Sequence, residues 1–178
     1  MQNFLIVLKK EIFPISLILI LAFARLIPHP PNFTPIIAVA IVSGYFFKNI
    51  NLSLLTLLVA MLISDLFIGF YENVIFVYAS LLLITFAFHK ISKKINFKNL
   101  FIYGFAGSLI FFIVSNFGVW ALGGLGVNDL AYEKSLEGLI ECYILAIPFF
   151  GNTFLSTIIF AYPAIFFYKS LAARASSR

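Results

Sequence analysis

Two charged residues stand inside apolar stretches and are the first candidates for chemistry: Arg25 and Asp65. A charge at membrane depth costs roughly 2.5–3.5 kcal/mol on insertion scales, so such a residue faces a cavity or a partner of opposite sign. An ion pair tying two helices meets that need, and so does a ligand site that uses one or both charges. Between them runs Pro28-His29-Pro30-Pro31-Asn32-Phe33-Thr34-Pro35. Prolines fix φ and push the preceding residues into extended conformations. The segment is therefore a stiff, non-helical loop that holds His29, Asn32 and Phe33 in place. Rigid polar and aromatic groups suit a binding site, because little entropy is lost on binding. The alternative is a plain tight connector between two helices.

The second half of the chain adds weaker candidates. Asn116 and Trp120 are four apart and share a helix face; Trp120 also fits the role of an interfacial anchor. Tyr143 lies beside Cys142 ahead of Pro148, Asn152 follows it, and Tyr78 stands in an earlier apolar run. The candidate substrate-binding set is thus Arg25, His29, Asn32, Phe33, Asp65, Tyr78, Asn116, Trp120, Tyr143 and Asn152. No catalytic residue, cofactor or metal is expected. His29 has no second histidine nearby, and His89 belongs to a basic stretch on the opposite side. There is no GxxxxGK[ST] phosphate loop, and no HExxH or GxSxG. The single cysteine, Cys142, forms no internal disulfide.

The elements that must carry these residues follow from composition. The chain has 178 residues, 62% hydrophobic and 11% charged, with a mean hydropathy of +1.07. Soluble domains run near 45–50% apolar and about 25% charged, and a soluble chain this small could not hide so much apolar surface. A bilayer accepts it, and each crossing takes roughly 20 mostly apolar residues. Lipid cannot satisfy free backbone polar groups, so the crossings are helical. The sequence predicts an all-α membrane protein with a single transmembrane domain over 1–178. Its six spans are placed at about 12–27, 35–47, 52–70, 74–88, 100–122 and 149–168. A short surface helix over about 136–147 is expected to break at Pro148. Pro14 suits a first helical turn, and Thr34 and Pro35 read as N-cap and first residue of the second span. Small residues, Ala40 and Gly44 on the second span and Gly104 to Ser108 on the fifth, offer smooth faces for helix contact.

Charge then orients the bundle. Ten of the 12 lysines and arginines, including Lys48, Lys90, Lys93, Lys94, Lys98 and Lys169, fall on the side of the termini. The positive-inside rule places that side, with both termini, in the cytoplasm. Six of the seven carboxylates fall on or near the other side. The net charge of +5 is explained by these basic loops, without nucleic acid. The N-terminus is not a signal peptide, since its lysines follow the short apolar stretch rather than precede it. The polar candidates are expected to gather at the outer face, leaving only basic loops inside.

Six short spans, a proline-rich outer loop after the first, and an aspartate near the outer end of the third resemble the substrate-binding (S) components of energy-coupling-factor vitamin transporters. The strings RLIPHPPNFTP (25–35), SDLFIGF (64–70) and GLIECYILAIPFFGNT (138–153) are similar to those of an uncharacterised family of small membrane proteins related to them. The resemblance covers nearly the whole chain. It implies an S-component-like bundle in the cytoplasmic membrane that binds a nutrient near the outer face. It also implies a separate membrane coupling subunit and ATPases as partners. Many S components carry Ala-x-x-x-Ala on the first span, where this chain has Ala22 and Ala24. Some small cobalamin-transporting members ligate cobalt through a cysteine, and Cys142 does not stand at that place. The expected function is uptake of a vitamin or similar small nutrient. The rival readings are a structural or assembly subunit of a larger membrane complex and a membrane-embedded enzyme.

Overall fold

The computed structural model describes residues 2–91, 95–126 and 129–176. It is all-helical, with α1 Gln2–Phe23, α2 Ile36–Phe46, α3 Ile50–Ile68, α4 Val74–Ile91, α5 Phe97–Leu122 and α6 Leu136–Ser176. Four of these, α3, α4, α5 and the stretch Leu136–Ser170 of α6, are long and apolar enough to cross a membrane. Their outward faces carry Leu66, Phe67, Ile75, Phe101, Ile144 and Phe166, each exposed. Such helices, in a chain of this composition, are those of a membrane protein.

α2 is the centre of the bundle. Ten of its eleven residues are buried, and it packs against α1, α3, α4, α5 and α6. Close approach to α4 depends on Gly44: a Cβ there would lie 2.8 Å from the Thr85 carbonyl oxygen and 3.0 Å from the His89 nitrogen. Thr85 Oγ1 reinforces the contact by donating to the Ala40 carbonyl at 3.1 Å. The small-residue face read from Ala40 and Gly44 is therefore spent inside the molecule. So is that of α5, where a Cβ on Gly107 would meet Ile37 at 3.1 Å and one on Gly104 would meet Ile158 at 2.8 Å.

Helix ends follow local chemistry. Ile27, ahead of Pro28, is extended (φ −77°, ψ 134°), so α1 closes through a 3-10 turn at Ala24–Leu26. Asn49 and Asn96 cap α3 and α5 through side chains that accept from Asn51 and Asn99. Gly69 (φ 94°) and Gly123 (φ 81°) follow α3 and α5 with backbone angles that a side chain would strain. α2 departs from expectation: Pro35 occupies the N-cap position without a side-chain cap, and the helix starts at Ile36.

Three boundaries need correction. α1 begins ten residues before the expected start at 12, with Pro14 inside it rather than in its first turn. Pro148 does not separate two helices, because α6 runs unbroken through Pro148 and Pro163. An interior proline costs about 3 kcal/mol. Against that cost, Tyr143, Phe150 and Phe154 of α6 form five ring contacts with Phe101, Phe105 and Phe112 of α5. At roughly 0.5–1.5 kcal/mol each beyond area burial, they outweigh one proline and carry the helix past it. The fourth span, expected to end at about 88, runs on to Ile91, so that His89 and Lys90 of the basic stretch close α4; Lys93 and Lys94 lie outside the described residues.

Candidate functional site

The end of α1, the loop 27–35, the end of α3, the start of α4 and the end of α5 meet at one end of the bundle. Arg25 and Asp65 pair there, with Arg25 Nη2 2.8 Å from Asp65 Oδ1. Both side chains are buried, at 7% and 0% exposure. Arg25 Nη1 also donates to Ser64 Oγ at 2.6 Å, and the Tyr78 hydroxyl donates to Asp65 Oδ2 at 2.8 Å. The pair is thus embedded in polar contacts on α3 and α4, as a buried ion pair requires. Arg25 Nε is buried with no protein partner.

Beside the pair lies a cavity of about 310 Å³. Arg25, Asn32, Thr34, Tyr71, Asn73, Ser115 and Asn116 supply its polar lining, and Ile36, Val77, Phe111 and Val119 its apolar walls. Asn32 enters at φ 59°, a left-handed conformation that asparagine tolerates and most residues do not. The Asn116 amide nitrogen is engaged by the Phe112 carbonyl at 2.7 Å. Burial pushes the Tyr71 phenol up to about 12; the Asp65 charge adds to this and the Arg25 guanidinium opposes it. Tyr71 therefore offers the cavity a neutral hydroxyl across the physiological range. With seven polar residues among eleven, the lining is richer in donors and acceptors than the mostly apolar wall of a usual small-molecule site.

The structure brings Arg25, Asn32 and Asn116 together around this cavity, with Asp65 and Tyr78 behind Arg25. The other candidates stand elsewhere. His29 is exposed and its Nδ1 donates to the Pro30 carbonyl at 2.9 Å. Phe33 packs edge-on against Phe160. Trp120 Nε1 donates to the Glu133 carbonyl at 2.8 Å, while Lys134 lies over its ring and bonds its carbonyl. These contacts fold the segment after α5 back onto its last turn. The Tyr143 hydroxyl donates to the Ile113 carbonyl at 2.8 Å, joining α6 to α5.

Asn152 belongs to a different device. Its amide donates to the Pro31 carbonyl at 2.9 Å, and Ser156 Oγ donates to the Thr34 carbonyl at 2.9 Å. Thr153 Oγ1 reaches the Asn32 carbonyl at 3.5 Å. This polar stripe satisfies carbonyls of a non-helical loop about 24 Å along α6 from its first residue, at 1.5 Å per residue. Backbone carbonyls packed away from water need such partners. Asn152 is thus a clamp on the loop that carries Asn32.

Sequence reasoning missed Tyr71 and Asn73, which fall between the spans expected at about 52–70 and 74–88. Asn73 Nδ2 donates to the Ser115 carbonyl at 2.8 Å, and its buried Oδ1 has no partner. An uncharged polar residue set between Glu72 and the apolar run that opens at Val74 was the available signal.

The expectation that polar groups gather at one end holds only in part. A cavity of about 520 Å³ opens at the opposite end, lined by Glu11, Lys48 and His89 together with Tyr45 and Tyr168. His89 Nδ1 donates there to the Gly44 carbonyl at 3.2 Å. Among the described residues, no group of three or more His, Cys, Asp or Glu side chains is placed to hold a metal ion.

No curated protein and no solved structure matches the chain. Residues 7–177 match the model of a family of unknown function, DUF6580. The match spans nearly the whole chain, which belongs to the DUF6580 family.

Proposed function

We propose that the protein is a membrane-embedded substrate-binding subunit for uptake of a vitamin or similar small nutrient. In this reading all six helices cross or enter the cytoplasmic membrane, both termini are cytoplasmic, and the cavity beside Arg25 opens outward. Nothing in the sequence binds ATP in the Walker manner, so a coupling membrane subunit and ATPases, as in the S components it resembles, supply the energy. The observation that carries the proposal is the cavity of about 310 Å³ bounded by Arg25, Asn32, Asn73 and Asn116. The Arg25–Asp65 pair alone would serve an assembly subunit equally well; a walled cavity with unpartnered polar atoms at its edge favours a ligand.

The volume narrows the ligand. Small-molecule pockets run from roughly 300 to 1,000 Å³, so this one suits a nutrient of one or two rings better than a cobalamin. Arg25 is already neutralised by Asp65, which favours an uncharged or zwitterionic molecule with hydrogen-bonding edges. The test is thermal stabilisation of the purified chain by a panel of small nutrients, with mass spectrometry of any molecule that copurifies. A binder should stabilise the native chain and lose its effect in Asn116→Leu, which replaces a polar group of the cavity wall by an apolar one of similar size. Stabilisation that survives Asn116→Leu undiminished, or no stabilisation by any compound of this size, would count against the proposal.

A further inference from the structure

We propose that the groove between the start of α5 and the late turns of α6 holds an anionic phospholipid, with its acyl chain on the apolar floor and its phosphate at Lys169. The groove encloses about 250 Å³. Its floor is Ile95, Leu100 and Ile165, each no more than 5% exposed, and Tyr162 and Phe166 stand at its sides. It lies between two helices that are long and apolar enough to cross a membrane, at the ends that carry Lys98 and Lys169, where lipid headgroups meet the acyl region.

The polar part of the lining commits the groove to an anion. Lys169 donates to the Ile95 carbonyl, which fixes its ammonium over the groove. An ammonium has three donors, and the bonds among the described residues use one of them. Asn96 caps α5, whose N-terminus carries the positive end of the helix dipole. Lys98 follows in the first turn and is exposed. No carboxylate is among the described lining residues. A basic pocket between membrane helices on the cytoplasmic side suits a lipid phosphate. A free phosphate would use the ammonium and leave the apolar floor bare. The proposal is independent of the nutrient cavity at the other end.

The experiment is native mass spectrometry of the full chain from detergent, with phosphatidylglycerol or phosphatidylcholine added at equal concentration. Phosphatidylglycerol should remain bound and phosphatidylcholine should be lost. Lys169→Gln should weaken retention about fivefold, the worth of roughly one lysine near an anionic lipid, and Lys169→Arg should restore it. Lys48→Gln, at the other cavity of the same end, should change nothing. Circular dichroism confirms that each variant is folded, and Ser170→Phe, which narrows the groove without touching the charge, gives an independent loss. Equal retention of both lipids, unchanged retention in Lys169→Gln, or displacement of the lipid by glycerol phosphate alone would each overturn the proposal.

Discussion

Removing one member of the Arg25–Asp65 pair should cost far more than removing both. Asp65→Leu deletes the carboxylate that Arg25 Nη2 meets at 2.8 Å and the acceptor of the Tyr78 hydroxyl. It leaves a guanidinium only 7% exposed, beside Ser64, Met61 and Tyr71 but without a counter-charge from Asp65. Breaking a buried pair in this way costs about 3–5 kcal/mol, because the surviving charge is stranded. Arg25→Met with Asp65→Leu strands no charge; such replacements are often neutral or stabilising, so the double variant should return to within about 1 kcal/mol of the unaltered chain, the Tyr78 hydroxyl being the donor left without its acceptor. Cys142, the single cysteine and 2% exposed, reports the transition: a maleimide dye reacts when unfolding uncovers it. At roughly 2–4 °C per kcal/mol for a chain of this length, Asp65→Leu should lower the midpoint by about 6–20 °C and the double variant by only a few degrees. Two single changes whose effects simply add in the double variant would show that the charges are not coupled and would refute the reasoning.

Three further outcomes are expected. Gly44→Ala should destabilise by about 1–3 kcal/mol in the same dye assay, since the new methyl meets backbone atoms of α4 at 2.8 and 3.0 Å; unchanged stability would mean that α2 and α4 do not approach so closely. Ser156→Ala should cost about 1–3 kcal/mol by leaving the Thr34 carbonyl without its donor, and hydrogen exchange should rise in the loop 27–35 before it rises in α5. In a Cys142→Ala background, Glu72→Cys should react with an impermeant maleimide in intact cells and Lys48→Cys should not; the reverse pattern would invert the proposed orientation.

What could be read from the residues depended on how local the deciding interaction was. α3, α4 and α5 are each a single apolar run closed by capping residues, so their limits were visible to within three residues. The pairing of Arg25 with Asp65 was accessible because two opposite charges in apolar surroundings have few other ways to be satisfied. Pro148 misled because its local cost is plain in the sequence, whereas the ring contacts that offset it come from Phe101, Phe105 and Phe112 on another helix. Asn152 and Tyr78 were read as candidate substrate contacts; the groups they bond in the fold, the Pro31 carbonyl and Asp65, stand on other elements, beyond the reach of a local reading. Asn73 and Tyr71 escaped because a turn at a helix end ordinarily explains such residues, and only the packing of α5 beside them turns that site into a wall of a cavity.

The eleven-residue α2 has a consequence for how the chain enters the membrane. At 1.5 Å per residue it is about 16 Å long, roughly half the hydrocarbon thickness, and ten of its residues touch other helices rather than lipid. A segment so short has no stable crossing of its own when it leaves the ribosome, however apolar it is. Its place is created by α4, α5 and α6, which are synthesised later and supply most of the walls around it. Biogenesis of this bundle therefore cannot be a string of independent insertions in chain order. α2 is enclosed only when the C-terminal half closes around it, and chains truncated before α6 should be substrates for quality control rather than smaller stable proteins.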